Sequence, residues 1–531
     1  MRKFSSYGPP DTDIHFHAPR QSLINSAYNE LTCENSAKGG HYITVWAPRQ
    51  TGKTWTLQQV VKKIRSQNDF DAAIISMGSG KTVNTDQGIL ELFIKRLSEF
   101  MGIQLPRIDT WADLDTLFSY RYFPKPIILI ADEFDALAED FINKFANEFR
   151  EMYISRLNED KPADQKTCRL HGLALIGVRS VLGIENVKGS PFNVQRSVHI
   201  PNLTKDEVKD IFQQYTHASG QTVEPEVIDR IYTEFKGQPG LTCWFGEQLT
   251  EVYNKETDTP IGLRHFKRAY TMAAHALPNN NILNIISKVK AEPYKTQVLD
   301  LFNTGQKIEF FYDDRLLNYL YMNGVIDIED SSDQDNCLYV RFSSPFVQKR
   351  LFSFFSRDLF KHIGQLHEPF QRLDNVITQD AIHIRKVIKL YETYLRKNRS
   401  WLFQDAPRRK DLRIYEAVYH FNFYMFLHQF LQPQKAQVYP EFPTGNGRID
   451  IIIKYAGRMY GIELKSYTDE NAYKKSISQA ASYGKQLRLA QIALVFFVDD
   501  VDDDSRNKYE INYQDQAAGV TVKISFVAIG N

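Results

Sequence analysis

The sequence predicts a multidomain α/β protein, and three stretches carry that expectation. YITVW (Tyr42–Trp46) reads as a short buried strand, APRQTGKT follows it directly, and WTLQQVVKKIRSQ then shows the apolar spacing of a helix. PIILIADEFDAL (Pro126–Leu137) is a continuous apolar run ending in carboxylates, the reading of a strand buried on both faces of a parallel sheet. Near the C-terminus RIDIIIKY and RMYGIELKSY read as two strands, with Ala456 and Gly457 supplying the turn between them.

At 531 residues the chain is too long for one ordinary domain, and two to four are expected. Hydrophobic residues make up 43% and charged residues 24%, the balance of a globular protein. The formal net charge is +1, so no global field recruits nucleic acid and any such contact rests on local basic patches. No apolar run approaches the roughly 18 residues that span a bilayer, so no membrane partner is expected. The opening MRKFSSYGPPDTD lacks the apolar centre of a signal peptide. Cys33, Cys168, Cys243 and Cys337 are scattered without CxxC spacing, which indicates neither a zinc site nor a disulfide framework. A reduced, cytoplasmic protein is the simplest expectation.

The first stretch has the strand, loop, helix order of a phosphate cradle. Backbone N–H groups of Ala47, Pro48, Arg49, Gln50, Thr51 and Gly52 (Pro48 excepted, having none) and of the helix start would face the phosphates of ATP. Lys53 can reach the β and γ oxygens, and the Thr54 hydroxyl can ligand Mg²⁺. Ala47 stands where the strict motif has Gly. A second GKT, inside IISMGSGKT (Ile74–Thr82), has Ile75 at the first small position and no room for another nucleotide, so it reads as a strand-end loop. After the second apolar strand, Asp132 is placed to hold the Mg²⁺ shell and Glu133 to orient or deprotonate the attacking water. GLALIGV (Gly172–Val178) ends at Arg179 and Ser180, where Arg179 either senses the γ-phosphate or is an ordinary solvated arginine.

The order YITVWAPRQTGKT, IILIADEFDAL, ALIGVRS, SPFNVQRSVHIPNLTKDEV and FKGQPGL resembles the AAA-like, STAND-related P-loop ATPases of prokaryotes over residues 15 to 280. The resemblance implies that Arg20 lies near the adenine and that SPFN with Arg196 lies near the nucleotide or a subunit edge. Gly237, Pro239 and Leu241 match the GxP turn of a helical lid that touches the base. If Arg196 works in trans as an arginine finger, the chain forms a homo-oligomer. Downstream, KTQVLDLFNTGQ, DDRLLNYLYMNGVIDIED and NCLYVRFSSPFVQKRLFSFF suggest helices and a two-stranded wing around the polar turn 329–336, a winged-helix-like module. It can bind DNA or transmit the nucleotide state, and the lack of a dense basic helix favours transmission.

In the C-terminal stretch Asp450 lies near the start of one strand, while Glu463 and Lys465, two apart on the next, share a face. Carboxylates converging across a hairpin can ligate Mg²⁺ through oxygen, and a lysine on that face can activate water or stabilise phosphate charge. Asp450 with Glu463-Leu464-Lys465 resembles the PD-(D/E)XK nuclease superfamily over residues 375 to 531, with Ile449 in place of the signature Pro. By that resemblance Gln479 and Tyr483 match its QxxxY extension and Ile492–Val498 is the following strand, while Glu416 is either an early acidic residue of the metal site or a helix-surface carboxylate. Glu441 either joins that shell or caps the strand, and DDVDDDSR (Asp499–Arg506) reads as a solvated loop.

The expected organisation is an ATPase core over 1–215, a helical lid over 216–282, a winged-helix-like module over 283–370 and an α/β/α nuclease-like domain over 371–531. Two functions compete, beside a third option, a translocase or transposition regulator in which the nuclease fold only binds. One is an ATP-gated, metal-dependent nuclease acting on nucleic acid, DNA first of all. The resemblance attaches such fusions to prokaryotic defence against foreign DNA. The other is an ATP-dependent switch whose nuclease-fold domain binds DNA or a partner without cutting.

Overall fold

The structure, a computed structural model, describes residues 2–5, 7–33, 40–158, 160, 167–177, 195–302, 308–330, 337–361, 363–367, 371–408, 414–444 and 447–529. Arg179, Ser180 and the SPFN segment lie outside these residues. The chain divides into two compact units, Met1–Ile285 with Phe310–Asp327, and Ile286–Glu309 with Ile328–Asn531.

The first unit opens with two short parallel strands, β1 (Lys3–Phe4) and β2 (His15–Phe16), and helix α1 (Gln21–Thr32). Strands and helices then alternate: β3 (Tyr42–Trp46), α2 (Lys53–Gln67), β4 (Asp71–Ser76), α3 (Asp86–Met101), β5 (Ile127–Asp132), α4 (Glu139–Leu157), β6 (Leu170–Gly177) and β7 (Gln195–His199). The five longer strands form one parallel sheet in the order β4-β5-β6-β3-β7. Alternation along each strand feeds two cores. Ile43, Val45, Ile128 and Ile130 pack with Leu57, Val60 and Ile64 of α2 on one face, and Leu129 and Leu175 pack with Phe93 of α3 and Phe145 of α4 on the other. Burial on both faces explains why these strands read as unbroken apolar runs.

Four helices follow, α5 (Lys205–Ser219), α6 (Pro225–Phe235), α7 (Pro239–Glu247) and α8 (Leu263–His275). Thr204 and Glu207 close a capping box at the start of α5, and Pro stands at the first turn of α6 and α7, where no intrahelical N–H is needed. The turn before α7 depends on Gly237. Its φ is 67°, its carbonyl accepts the Leu203 N–H at 2.8 Å, and a Cβ there would collide with the Leu203 carbonyl oxygen. Gly237→Ala is therefore expected to destabilise the first unit by about 1–3 kcal/mol, read as a lowered denaturation midpoint; an unchanged midpoint would refute the account.

Helix α9 (Asn280–Val289) crosses the division, α10 (Tyr294–Leu301) belongs to the second unit, and α11 (Arg315–Met322) returns to the first. Within the first unit Tyr321 of α11 meets Trp46 edge-on at 5.5 Å between ring centroids. The strands β8 (Ile326–Asp330) and β9 (Leu338–Phe342) form a two-stranded sheet, followed by α12 (Pro345–Leu359).

In the second unit α13 (Ile384–Leu402) and α14 (Glu416–Leu431) precede β10 (Gln437–Thr444), β11 (Gly447–Tyr455) and β12 (Arg458–Ser466). Then come α15 (Glu470–Gln486), β13 (Gln491–Val498), α16 (Asp503–Tyr509), β14 (Asn512–Asp515) and β15 (Val520–Ala528). The sheet order is β10-β11-β12-β13-β15-β14, with β12, β13 and β15 parallel and the outer pairs antiparallel. Ala456 and Gly457 both take positive φ, 47° and 73°, as a tight hairpin demands. Helix α15 crosses between β12 and β13 and seals one face with Tyr473, Ile477, Ala480 and Ala481 against Leu494 and Phe496. On the other face Phe497 meets Tyr391 of α13 and Tyr419 of α14.

The acidic run after β13 is not wholly a solvated loop. Asp502 caps α16 by accepting the Ser505 N–H at 2.6 Å, and Arg506, mostly buried, bonds Glu392 and Glu510. An Asp before a short polar turn is a helix start, and the arginine gives that helix an anchor the acidic composition hides.

Candidate functional sites

In the first unit the loop after β3 wraps the start of α2. Gln50 and Gly52 take positive φ, 59° and 90°, in the loop that leads into the N-terminus of α2, where free backbone N–H groups suit an anion. The Lys53 ammonium donates to the carbonyls of Ala47 and Pro48 at 2.7 and 2.8 Å, folded back over the loop. The Thr54 hydroxyl donates to Asp132 at 2.5 Å, so the end of β5 and the start of α2 bring these two groups together. Burial raises the Asp132 carboxyl above its ordinary range, against hydrogen bonds from Thr54 and from the Glu133 N–H. Glu133 is exposed, takes a φ of 54°, and accepts from Ser76 at 2.7 Å.

The loop borders a cavity of 260 Å³. Gln50, Thr51, Gly52, Lys53 and Thr54 form its polar side, and Pro9, Pro10, Phe16, Ala18, Leu203, Ile211 and Cys243 form an apolar side. Arg20 also lines it. Its guanidinium is held by the Pro201 carbonyl at 2.6 Å and the Thr51 carbonyl at 3.3 Å, and lies 3.5 Å from Glu207. Pro239 and Gly240 line it too; the Gly240 N–H donates to the Gln50 carbonyl at 3.0 Å, and Gln238 Nε2 to that of Arg49 at 2.9 Å. Leu241 is buried behind them. The start of α7 is thus tied directly to the loop. Arg196 sits elsewhere: it is exposed on edge strand β7, opposite Ile43, and pairs with Glu30 at 3.0 Å. The second GKT lies in a short 3-10 turn after β4, with Lys81 exposed.

Desolvation lowers the Lys53 ammonium to about 8, only partly offset by Asp135 and Asp132. Phosphate binding favours the charged form, so above that value binding must take up a proton. ATP affinity is expected to be flat below pH 8 and to fall above it with a slope approaching tenfold per unit. Lys53→Arg should flatten the profile. An equally flat profile for the unaltered protein would contradict the assignment.

In the second unit five of the six singled-out side chains gather around the end of β12. Asp450 lies one step beyond the registered pair of Ile451 and Ile462, hence across from Glu463. Glu463 and Lys465 pair with Leu494 and Phe496 on β13, which places both on the α15 face. All three are buried, at 3% exposure for Asp450, 0% for Glu463 and 6% for Lys465. Lys465 Nζ lies 2.9 Å from Glu463 Oε1. Burial works against the lysine charge, but Glu463, Asp450 and Glu416 together hold its pKa above the ordinary value. Asp450 Oδ2 accepts the Leu464 N–H at 2.6 Å, while its Oδ1 is buried with no hydrogen-bond partner among the described residues.

Glu416, at the start of α14, accepts the Ser466 N–H at 3.1 Å and lies 3.5 Å from His420. Burial opposes its charge, yet His420 and Lys465 hold the carboxyl below its usual range. Gln479 Nε2 donates to the Tyr483 hydroxyl at 2.8 Å on α15; Tyr483 feels the charges of Glu463, Lys465 and Asp450, whereas Gln479 enters through Tyr483. Among the described residues no group of three or more His, Cys, Asp and Glu side chains stands ready to hold a metal ion. The Glu441 side chain lies outside the described residues.

Sequence reasoning missed His420, fully buried between Glu416 and the Asp450 side of the cluster; its i,i+4 spacing from Glu416 was the available signal. It also missed the apolar side of the first cavity, apart from the FHAPR segment. Those residues come from the N-terminal arm, the segment before α5, α5 and α7, and no local pattern joins them.

The five-stranded parallel sheet with a phosphate-type loop at the end of β3 is the α/β architecture of P-loop ATPases. A protein-family model described as an AAA-like domain matches residues 10–252. Among solved structures, Cdc6p from Pyrobaculum aerophilum is 16% identical, over 67% of this chain and 97% of that one, with a TM-score of 0.37. A Walker-type ATPase of Pyrococcus abyssi is 14% identical over 66% and 99%, with a TM-score of 0.41. The ORC2 protein of Aeropyrum pernix in ADPNP–ADP complexes is 14% identical over 66% and 96%, with a TM-score of 0.40. Likenesses this distant carry no argument about function. No curated protein matches the chain. Among the described residues no helix is long and apolar enough to cross a membrane.

Proposed function

We propose that the chain binds and hydrolyses ATP in its first unit and cleaves nucleic acid phosphodiesters, DNA first of all, in its second, with the nucleotide state gating cleavage. The cavity beside the P-loop and the AAA-like match over 10–252 support the nucleotide reading. Thr54 and Asp132, already in contact, would hold the Mg²⁺ that accompanies ATP, Lys53 would exchange its loop carbonyls for phosphate oxygens, and Glu133 would orient the attacking water. Arg179 is proposed to sense the γ-phosphate, on its place after β6 in the sequence alone.

The single observation that carries the nuclease reading is the buried Asp450, Glu463 and Lys465 cluster with the orphaned Asp450 Oδ1. A buried acceptor without a donor is costly, and a cation would satisfy it. Mg²⁺ keeps several waters and needs only one or two carboxylates, so Asp450 and Glu463 fit it without a third donor. The ion, when bound, supplies Lewis-acid stabilisation and an acidified water. Lys465 faces the same space with its charge secured, placed to stabilise a pentavalent phosphate and its departing oxygen. Glu416, with His420 beside it, ties down the strand end through the Ser466 N–H, and the Gln479–Tyr483 pair lies within electrostatic reach of Lys465 and Glu463. A role in defence against foreign DNA rests on the resemblance alone, and assembly into a homo-oligomer rests on Arg196 working in trans.

The test is cleavage of plasmid, linear duplex, single-stranded DNA and RNA by purified protein, with Mg²⁺ or Mn²⁺, with and without ATP. Metal-dependent cutting that responds to ATP is the expected result. The Lys465–Glu463 ion pair and the lack of a three-donor group among the described residues favour a second reading, a nucleotide switch whose second unit binds without cutting. Intact ATP turnover with no cutting of any substrate would select it.

A further inference from the structure

A second polar cavity, of 500 Å³, lies in the second unit. Among the described residues its lining includes Arg385, Lys386, Lys389, Arg458 and Lys523, and no Asp or Glu. It is not the cluster around Glu463. On β12 it takes Arg458, Tyr460 and Gly461 near the start of the strand, while Glu463 and Lys465 lie toward the end. Tyr460 accepts the Ile382 N–H at 3.0 Å in front of α13, whereas Glu463 and Lys465 share the face that α15 covers.

The side chains are arranged rather than merely exposed. The Arg385 guanidinium is fixed by Asn512 Oδ1 at 2.9 Å and by the Ile524 carbonyl at 3.2 Å, and its buried Nε has no acceptor among the described residues. Lys523 on β15 stands opposite Ala493 on one side and Asn512 on the other, and both of those residues line the cavity. Helix α13, 19 residues long and without a side-chain cap, starts here, so its N-terminal N–H groups add positive potential. Five like charges around one concavity repel unless an anion joins them, and guanidinium with ammonium groups is the donor set that phosphate takes. The volume suits a nucleotide-sized ligand rather than a lone small ion.

We infer that this cavity is a binding site for a phosphorylated anion, separate from both the P-loop and the proposed nuclease cluster. The ligand chemistry is that of a terminal phosphate or polyphosphate, supplied by a free nucleotide or by the end of a nucleic acid strand. The inference does not depend on the nuclease reading and stands or falls apart from it.

The test uses full-length protein carrying Lys53→Met, which silences the P-loop. It is titrated calorimetrically with inorganic pyrophosphate, and by fluorescence anisotropy with a short thymidine strand bearing either a 5′-phosphate or a 5′-hydroxyl. Saturable, salt-sensitive pyrophosphate binding is expected, weakened about tenfold or more by Lys389→Gln with Arg458→Gln. Both residues are exposed, so an unchanged melting temperature verifies the fold. Preference for the 5′-phosphorylated strand, lost in the same double variant, assigns the strand end as the source; pyrophosphate binding with no such preference assigns a free anion. Glu463→Gln should leave all of this unchanged. No saturable binding, binding indifferent to the double variant, or loss of binding in Glu463→Gln would each overturn the proposal.

Discussion

Replacing Glu463 by Gln should reduce metal-dependent cleavage by about a thousandfold while leaving ATP turnover within about twofold of the unaltered protein. The size follows from position. Glu463 is wholly buried, faces Lys465 at 2.9 Å and lies across from Asp450, so one substitution removes a proposed metal ligand and half of the ion pair. Glu463→Ala is the poorer probe. It would leave the Lys465 charge buried without its nearest counter-ion, and breaking a buried pair from one side costs about 3–5 kcal/mol. Loss of cutting in the Ala variant could then mean loss of folding. The isosteric Gln keeps the volume and one acceptor, so the melting temperature should fall less. Cutting that persists in a folded Glu463→Gln protein would sink the nuclease assignment, whatever the P-loop does.

The sequence announced elements wherever one strand or one turn carried the whole message. YITVW, IILIAD and ALIG became β3, β5 and β6 because burial on both faces demands unbroken apolar runs, and Ala456-Gly457 became the hairpin because only a turn tolerates those φ values. Asp450, Glu463 and Lys465 were legible through the two-residue period of a strand, which fixes faces without knowledge of the rest of the fold. The apolar side of the cavity beside the loop was not legible: Pro9, Ile211 and Cys243 are far apart in sequence and meet only once the N-terminal arm, α5 and α7 pack. Nor was the basic cavity, whose Arg385, Arg458 and Lys523 look like ordinary surface charges on three separate elements. His420 was hidden for a different reason. In EAVYHFNFYMFLHQFL twelve of the sixteen residues are buried, so a polar side chain there gives no periodic signal of its own.

Lys53→Met is expected to lower ATP affinity by more than about a hundredfold, a loss of about 3 kcal/mol, the scale of one or two charge-assisted hydrogen bonds to phosphate. The same substitution should not destabilise the free protein, and this pairing of outcomes makes it diagnostic. In the folded chain desolvation brings the ammonium down to about 8, below its ordinary 10.5. Below pH 8 the group is charged in both folded and unfolded states, and the full cost of burying that charge is present; the cost disappears as pH rises from 8 toward 10.5. Met keeps the aliphatic stem in place and removes the charge, so at pH 7 the variant should melt at or above the temperature of the unaltered protein. Near pH 10 the difference should shrink. Nucleotide, which is expected to raise the melting temperature of the unaltered protein by binding only its folded form, should leave the variant unmoved. If gating also holds, the Met variant's cleavage should lose its response to ATP without losing its dependence on metal. A variant that melts well below the unaltered protein at pH 7 would mean that Lys53 is held by Ala47 and Pro48 as a structural strut, and that its charge was never poised for phosphate.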